Sequence, residues 1–256
     1  MQSRFKELLD AGRAAFGTQL RFGSPGVAEL FGHAGFDWII LDAEHAPQTP
    51  VGIQSQLQAI GNTPATPIVR LPKVDEEQIR LYLDMGAMGI LAAFINTAED
   101  AELGARACRY PPLGNRGWGP HRAAQYGLQA REYTEQINDL VVFMGLIETK
   151  EAVENIDAIL AVEGMDTHIL GPVDLSISLG VPFDFQNSTF QDAEQQVRDA
   201  ARRAGKPAGI GVYDSPFELN TLKRVTEAGY QAILVGGDEL FLTHSCQQIK
   251  KIRTEL

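Results

Sequence analysis

An apolar run through Trp38, Ile39, Ile40 and Leu41 stops abruptly in Asp42, Glu44 and His45. Charged groups at the end of a buried strand mark the mouth of a cleft. The same pattern recurs where Ile68 and Val69 lead into Arg70, where Leu146 and Ile147 lead into Glu148, and where Ile169 and Leu170 precede Asp174. Glu148 and Asp174 offer oxygen donors only, which suits Mg²⁺ or Mn²⁺ with positions left for water and substrate. The alternative is a pair of salt-bridged structural acids. Arg70 is suited to clamping a carboxylate or stabilising an enolate oxygen. It is equally suited to an ion pair with a neighbour such as Glu44. His45, three residues after Asp42, is placed either as a general base or as a solvated turn residue. Asp84 closes a helical stretch, where a negative charge opposes the helix dipole. That cost calls for a fixed partner, and a buried histidine is one candidate.

These residues need elements to hold them. Short runs rich in β-branched and aromatic residues predict strands over 15–21, 36–42, 66–71, 89–94, 140–148, 168–171, 208–213 and 232–236. Most are continuously apolar, as expected of parallel strands covered on both faces. Helical periodicity predicts helices over 25–34, 55–59, 75–85, 98–107, 150–162, 190–204, 216–228 and 240–254. Several stop at glycine, among them Gly35, Gly86, Gly205 and Gly229. Eight such units in 256 residues predict one (β/α)8 TIM barrel domain spanning the chain. A doubly wound open sheet is the alternative, but no G-x-G-x-x-G follows the first strand. The stretch from Tyr110 to Tyr126, rich in Gly, Pro, Arg and aromatics, breaks the rhythm. It reads as a functional loop, a lid or an arm reaching a neighbouring subunit.

Composition narrows the classes. The chain is 44% hydrophobic and 21% charged, ordinary for a globular protein with a large core. Its net charge of −11 argues against a nucleic-acid or anionic-membrane partner. Two cysteines, Cys108 and Cys246, make no metal-ligand pattern, and no apolar stretch is long enough to span a bilayer. The expectation is a reduced, cytoplasmic setting. No lysine ends a strand as a Schiff-base lysine would; Lys73 and Lys150 lie just beyond.

Taken together, the segments around Asp42 to His45, Arg70, Asp84, Arg109, Glu148 and Asp174 resemble the HpcH/HpaI aldolase family. These are metal-dependent class II pyruvate aldolases. The matching segments follow in order over nearly the whole chain. The resemblance implies Glu148 and Asp174 as ligands of a divalent metal, Mg²⁺ or Mn²⁺, with Co²⁺ or Zn²⁺ as further candidates. It implies that the backbone at Val173 and Asp174 holds the substrate carboxylate, that Arg70 stabilises the enolate, and that His45, tuned by Asp84, is the base. Asp42 and Glu44 are expected to line the pocket. The implied reaction cleaves a 4-hydroxy-2-oxoacid to a 2-oxoacid such as pyruvate and an aldehyde. Condensing relatives that form citrate or macrophomate offer a second reading, and a non-catalytic 2-oxoacid-binding barrel a third. The family also implies a homo-oligomer, trimer or hexamer, with the C-terminal helix exchanged between subunits and Arg122 reaching an adjacent site. Four places along the chain depart from the family pattern. Leu146 stands for a substrate-contacting Gln, Gln19 for a Trp, Ala92 and Ala93 for a Val-Pro pair, and Gly236 to Asp238 for Gly-Ser-Asp. They imply a retained reaction on an altered substrate.

Overall fold

In the computed structural model, which describes residues 2–213 and 217–255, eight parallel strands close into a barrel in sequence order. They are β1 (Ala15–Leu20), β2 (Trp38–Asp42), β3 (Thr66–Leu71), β4 (Gly89–Ala92), β5 (Val142–Ile147), β6 (Thr167–Leu170), β7 (Ala208–Val212) and β8 (Tyr230–Gly237). β1 pairs with both β2 and β8, which closes the ring. The expected (β/α)8 barrel is the fold.

Two apolar layers result from the two-residue alternation of a strand. Odd and even positions of one strand enter different clusters. Trp38 and Ile40 of β2, Ile68 of β3, and Val142, Met144 and Leu146 of β5 belong to the cluster inside the barrel. Ile39 and Leu41, Val69 and Leu71, and Phe143 and Ile147 belong to the layer shared with the outer helices. The bottom of the barrel is plugged by Arg4–Asp10, a helix that the sequence reading missed, through Phe5, Leu8 and Leu9. The Phe5 ring stacks on Trp38 at 4.7 Å, and Trp38 Nε1 donates to Ala15 O at 3.2 Å. Gly17 faces that indole, and a Cβ there would sit 2.2 Å from it.

The predicted helices are present with revised ends. Pro25–Ala34 and Ala98–Ala107 match their predicted ranges. The helix expected over 55–59 extends to Pro50–Ile60. The span 150–162 divides at Asn155 into Lys150–Glu154 and Ile156–Ala161. Of the span 216–228, Pro216 lies outside the described residues and the helix is Leu219–Glu227. Two further helices, Ala130–Leu140 and Pro172–Ser178, had not been expected. The first was obscured by the irregular loop before it, although Tyr133 and Ile137 form its buried i, i+4 face.

That loop does not cover this chain's own pocket. Ala98–Ala107 carries the chain back to the start of β5, so residues after 107 lie at the N-terminal end of the barrel. Arg116 is buried there, its guanidinium over the rings of Tyr110 and Tyr133. It donates to Asp84 Oδ1 at 2.6 Å and to Tyr133 Oη at 2.9 Å. No helix among the described residues is long and apolar enough to cross a membrane.

Replacing Trp38 with Ala leaves a cavity among the lowest inward side chains. A loss of about 3–5 kcal/mol is expected, read from chemical denaturation midpoints at unchanged m-value.

Candidate functional site

Alternation along the strands aims the charged groups. Ile40, Ile68 and Leu146 face the barrel axis, so residues two further on face it as well: Asp42, Arg70 and Glu148. The β2–β3 register sets Asp42 beside Arg70. All three emerge at the C-terminal ends of the strands, the face on which barrel enzymes carry their chemistry. A cavity of about 520 Å³ opens there. His45, Arg70, Leu146, Glu148, Val173 and Asp174 all line it.

Asp42 is fully buried and acts as the hub of the loop that follows it. Its Oδ1 accepts the N–H groups of Glu44 at 2.9 Å and His45 at 3.0 Å. Its Oδ2 accepts Gln19 Nε2 at 2.6 Å and Arg21 Nε at 3.1 Å. A carboxylate with all its lone pairs so engaged cannot serve as a proton acceptor without dismantling the loop. Asp42 is therefore a positioning residue that fixes His45. Gln19 extends the network, because Tyr213 Oη donates to Gln19 Oε1 at 3.0 Å.

Glu44 and Arg70 form the ion pair that the sequence left open. Arg70 Nη2 lies 2.5 Å from Glu44 Oε2, a close charge contact without hydrogen-bond alignment, and Arg70 Nε is buried with no hydrogen-bond partner. Burial pushes the Glu44 carboxyl up against the opposing pull of Arg70. His45 Nε2 lies 3.5 Å from Glu44 Oε2, with its imidazole half exposed to the cavity.

Glu148 is 2% exposed and receives one hydrogen bond among the described residues, from Phe94 N–H at 3.1 Å. Phe94 holds φ at +54° to present that N–H, a conformation that costs about 1–3 kcal/mol in a non-glycine residue. Burial pushes the Glu148 carboxyl up to about 7, and the nearby Asp174 and Glu44 charges add to the rise. A buried carboxylate this poorly compensated suits a cation. Asp174 lies in the first turn of Pro172–Ser178, whose Val173 and Asp174 N–H groups have no intrahelical acceptor. Among the described residues no cluster of three or more His, Cys, Asp or Glu side chains forms a closed metal cage. Glu148 and Asp174 alone fit an open site, with positions for water and substrate.

Asp42 and Glu44 stand behind the cavity wall rather than in its lining, and Asp84 and Arg122 lie at the far end of this chain's own barrel. Asp84 does not meet His45 within the chain. The helix Glu76–Met85 returns the chain to the start of β4, so Asp84 sits at the opposite end of the barrel with Arg116. Arg122 is at that end too, where it donates to Met85 O at 2.9 Å and Leu57 O at 3.3 Å and does not line the pocket. The sequence reading missed Arg21, Tyr213, Glu239, Leu240 and Thr243, which all line the cavity. Arg21 and Tyr213 each follow a strand end, a signal that was available. Glu239 was not readable, because a helix start reaches the mouth only once β8 has closed on β1. There Asp238 accepts the N–H groups of Arg21 and Phe22, both at 3.0 Å.

Residues 20–245 match the family model for HpcH/HpaI aldolase/citrate lyase. A curated relative from Klebsiella pneumoniae subsp. pneumoniae, a 4-hydroxy-2-oxo-heptane-1,7-dioate aldolase, is 38% identical over 97% of this chain and 93% of its own. An HpcH/HpaI aldolase/citrate lyase family protein from Burkholderia cenocepacia superposes with a TM-score of 0.91 at 32% identity, covering 99% of this chain and 100% of that one. A citrate synthase superposes with a TM-score of 0.85 at 25% identity, covering 98% and 97%.

Without metal, the folded chain holds a proton on Glu148 that the unfolded chain releases near pH ~4.3. Between there and about 7 the native state binds more protons, so stability falls as pH rises, and the loss is complete above that window. The full loss is about 4 kcal/mol at ~1.4 kcal/mol per pH unit across that window. In EDTA, denaturation midpoints should fall across this range. Glu148→Gln should flatten the fall, and Mn²⁺ should restore stability most at the high-pH end.

Proposed function

The chain belongs to the HpcH/HpaI aldolase/citrate lyase family, and on that premise we propose a metal-dependent aldolase. It cleaves a 4-hydroxy-2-oxoacid to pyruvate, or a related 2-oxoacid, and an aldehyde. The observation that carries this reading is the gathering of Glu148, Asp174, Arg70 and His45 around one cavity at the catalytic face of a barrel. None of the described residues lining that cavity is a lysine, which speaks against a Schiff-base route.

Glu148 and Asp174 are the ligands for a divalent ion, Mg²⁺ or Mn²⁺ by their oxygen donors. Such an ion, when bound, supplies Lewis-acid polarisation of the 2-oxo group. The remaining work falls to the chain. The free N–H groups of Val173 and Asp174 hold the substrate carboxylate at the start of their helix. His45 takes the 4-hydroxyl proton, and the Glu44 carboxylate 3.5 Å away stabilises the imidazolium that results. The C3–C4 bond then breaks. The oxygen left at C4 becomes the aldehyde carbonyl, and the bonding pair passes to C3 and the 2-oxo oxygen. Arg70, with its unpartnered Nε, stabilises the charge on that oxygen. Return of the proton from the His45 imidazolium to C3 through water completes pyruvate and restores the base.

A condensing enzyme is the second reading, favoured by the likeness to a citrate synthase at 25% identity. It would form carbon–carbon bonds without useful cleavage. We also propose a homo-oligomer built by exchange of the C-terminal helix. Asp238–Glu255 leaves the barrel mouth with Leu242, Ile249 and Ile252 exposed, a face that suits a neighbouring barrel.

Pyruvate release from a panel of 4-hydroxy-2-oxoacids, coupled to lactate dehydrogenase, tests the leading reading. Release should require Mg²⁺, Mn²⁺ or Co²⁺, vanish in EDTA and be abolished by Glu148→Ala. Arg70→Ala should lower kcat by roughly 10²–10³. Product formation only in the synthetic direction would move the assignment to condensation. Light scattering at micromolar protein should give a trimer or hexamer; a monomer would remove the helix exchange.

A further inference from the structure

The pocket differs in character between its rim and its floor, and the difference bears on the substrate. Below Glu148 the floor is aliphatic: Leu91, Leu146, Ile169 and Leu234 all line the cavity and are 5% exposed or less. Leu240 and Pro172 continue that surface upward. Tyr213 Oη, which lines the same wall, is engaged with Gln19.

Charge at the rim is unbalanced. Among the described residues lining the cavity, Arg21 and Arg70 are the only Lys or Arg side chains. Each is already committed. Arg21 is held between Asp42 and Glu239, and Arg70 lies against Glu44. Glu148 and Asp174 add two more carboxylates. Five carboxylates thus surround two guanidinium groups. A divalent ion held there would supply two positive charges, no more than Glu148 and Asp174 already offset. A second carboxylate at the far end of the substrate would find no uncommitted cation among these described lining residues of the same protein chain. It would have to displace Glu239 or Glu44 from its arginine, or lose its hydration against an aliphatic floor.

We propose that this site selects 4-hydroxy-2-oxoacids whose aldehyde portion is neutral and apolar, and discriminates against a chain ending in a second carboxylate. The inference rests on the aldolase reading for its chemistry but on this chain's own lining for its direction. It separates this protein from the relative named for a 1,7-dioate substrate.

Two matched pairs test it at low ionic strength. Binding to the Mg²⁺-loaded protein is measured by calorimetry for 2-oxohexanoate and 2-oxoadipate, which differ only in the distal carboxylate. Turnover is measured for 4-hydroxy-2-oxoheptanoate and 4-hydroxy-2-oxoheptane-1,7-dioate. The neutral-tailed member of each pair should be favoured by about tenfold or more, in Kd and in kcat/KM. Glu239→Gln, which leaves Arg21 with one carboxylate, should narrow both ratios several-fold, an effect that general destabilisation would not produce. Equal or tighter binding of 2-oxoadipate, or equal or faster cleavage of the dioate, would overturn the proposal while leaving the aldolase intact. Absence of cleavage of either compound with the binding preference retained would overturn the aldolase reading and support the selectivity of the pocket.

Discussion

Parity is the constraint on which this molecule depends. Strands β2 to β5 of this closed parallel barrel send alternate residues to the axis, while the register shifts once on each side of β8, against β1 and against β7. Trp38, Ile40 and Asp42 share one side of β2, as Val142, Met144, Leu146 and Glu148 share one line along β5. The apolar members fill the interior. The charged members, two residues beyond, project from its top. Moving any of these strands by one residue would bury Glu148 or Asp42 among the helices and place Ile147 or Leu41 in the pocket.

The position so imposed is expensive for a charge, and the structure meets the cost differently at each group. Asp42 is compensated by four donors, two of them backbone N–H groups of the loop that carries His45. Arg70 and Glu44 compensate each other, though with an unpartnered Arg70 Nε left over. Glu148 has only the Phe94 N–H, and its carboxyl is pushed up to about 7 as a result. The hydrogen bonds are thus concentrated on Asp42, while Glu148 and the Glu44–Arg70 pair keep unsatisfied atoms facing the site. That asymmetry separates the residues that hold the loop in place from those left available to bind.

The opposite end of the barrel uses the same residue types for a different purpose. Arg116 and Tyr110 of the irregular loop are buried with Tyr133 beside the half-buried Asp84, and Arg122 donates to carbonyls in the last turns of two helices. A glycine- and arginine-rich loop reads the same in sequence whether it covers a pocket or closes the base of a barrel. Only the direction of the preceding helix, Ala98–Ala107, decides which. Asp84 and His45 illustrate the same limit. Both sit at element ends, but one end faces the pocket and the other its base.

By itself the sequence determined the eight strands, most of the helices, the barrel, and the set of inward charges Asp42, Arg70 and Glu148. These follow from local periodicity, which a chain expresses residue by residue. Tertiary structure alone decided that Asp42 is a hub, that Arg70 is held by Glu44, that Asp84 and Arg122 lie away from the pocket, and that Arg21 and Glu239 belong to its rim. The reason is physical. Which polar groups satisfy one another depends on distances set when β8 closes on β1 and the C-terminal helix starts beside the first strand, more than two hundred positions apart in the chain.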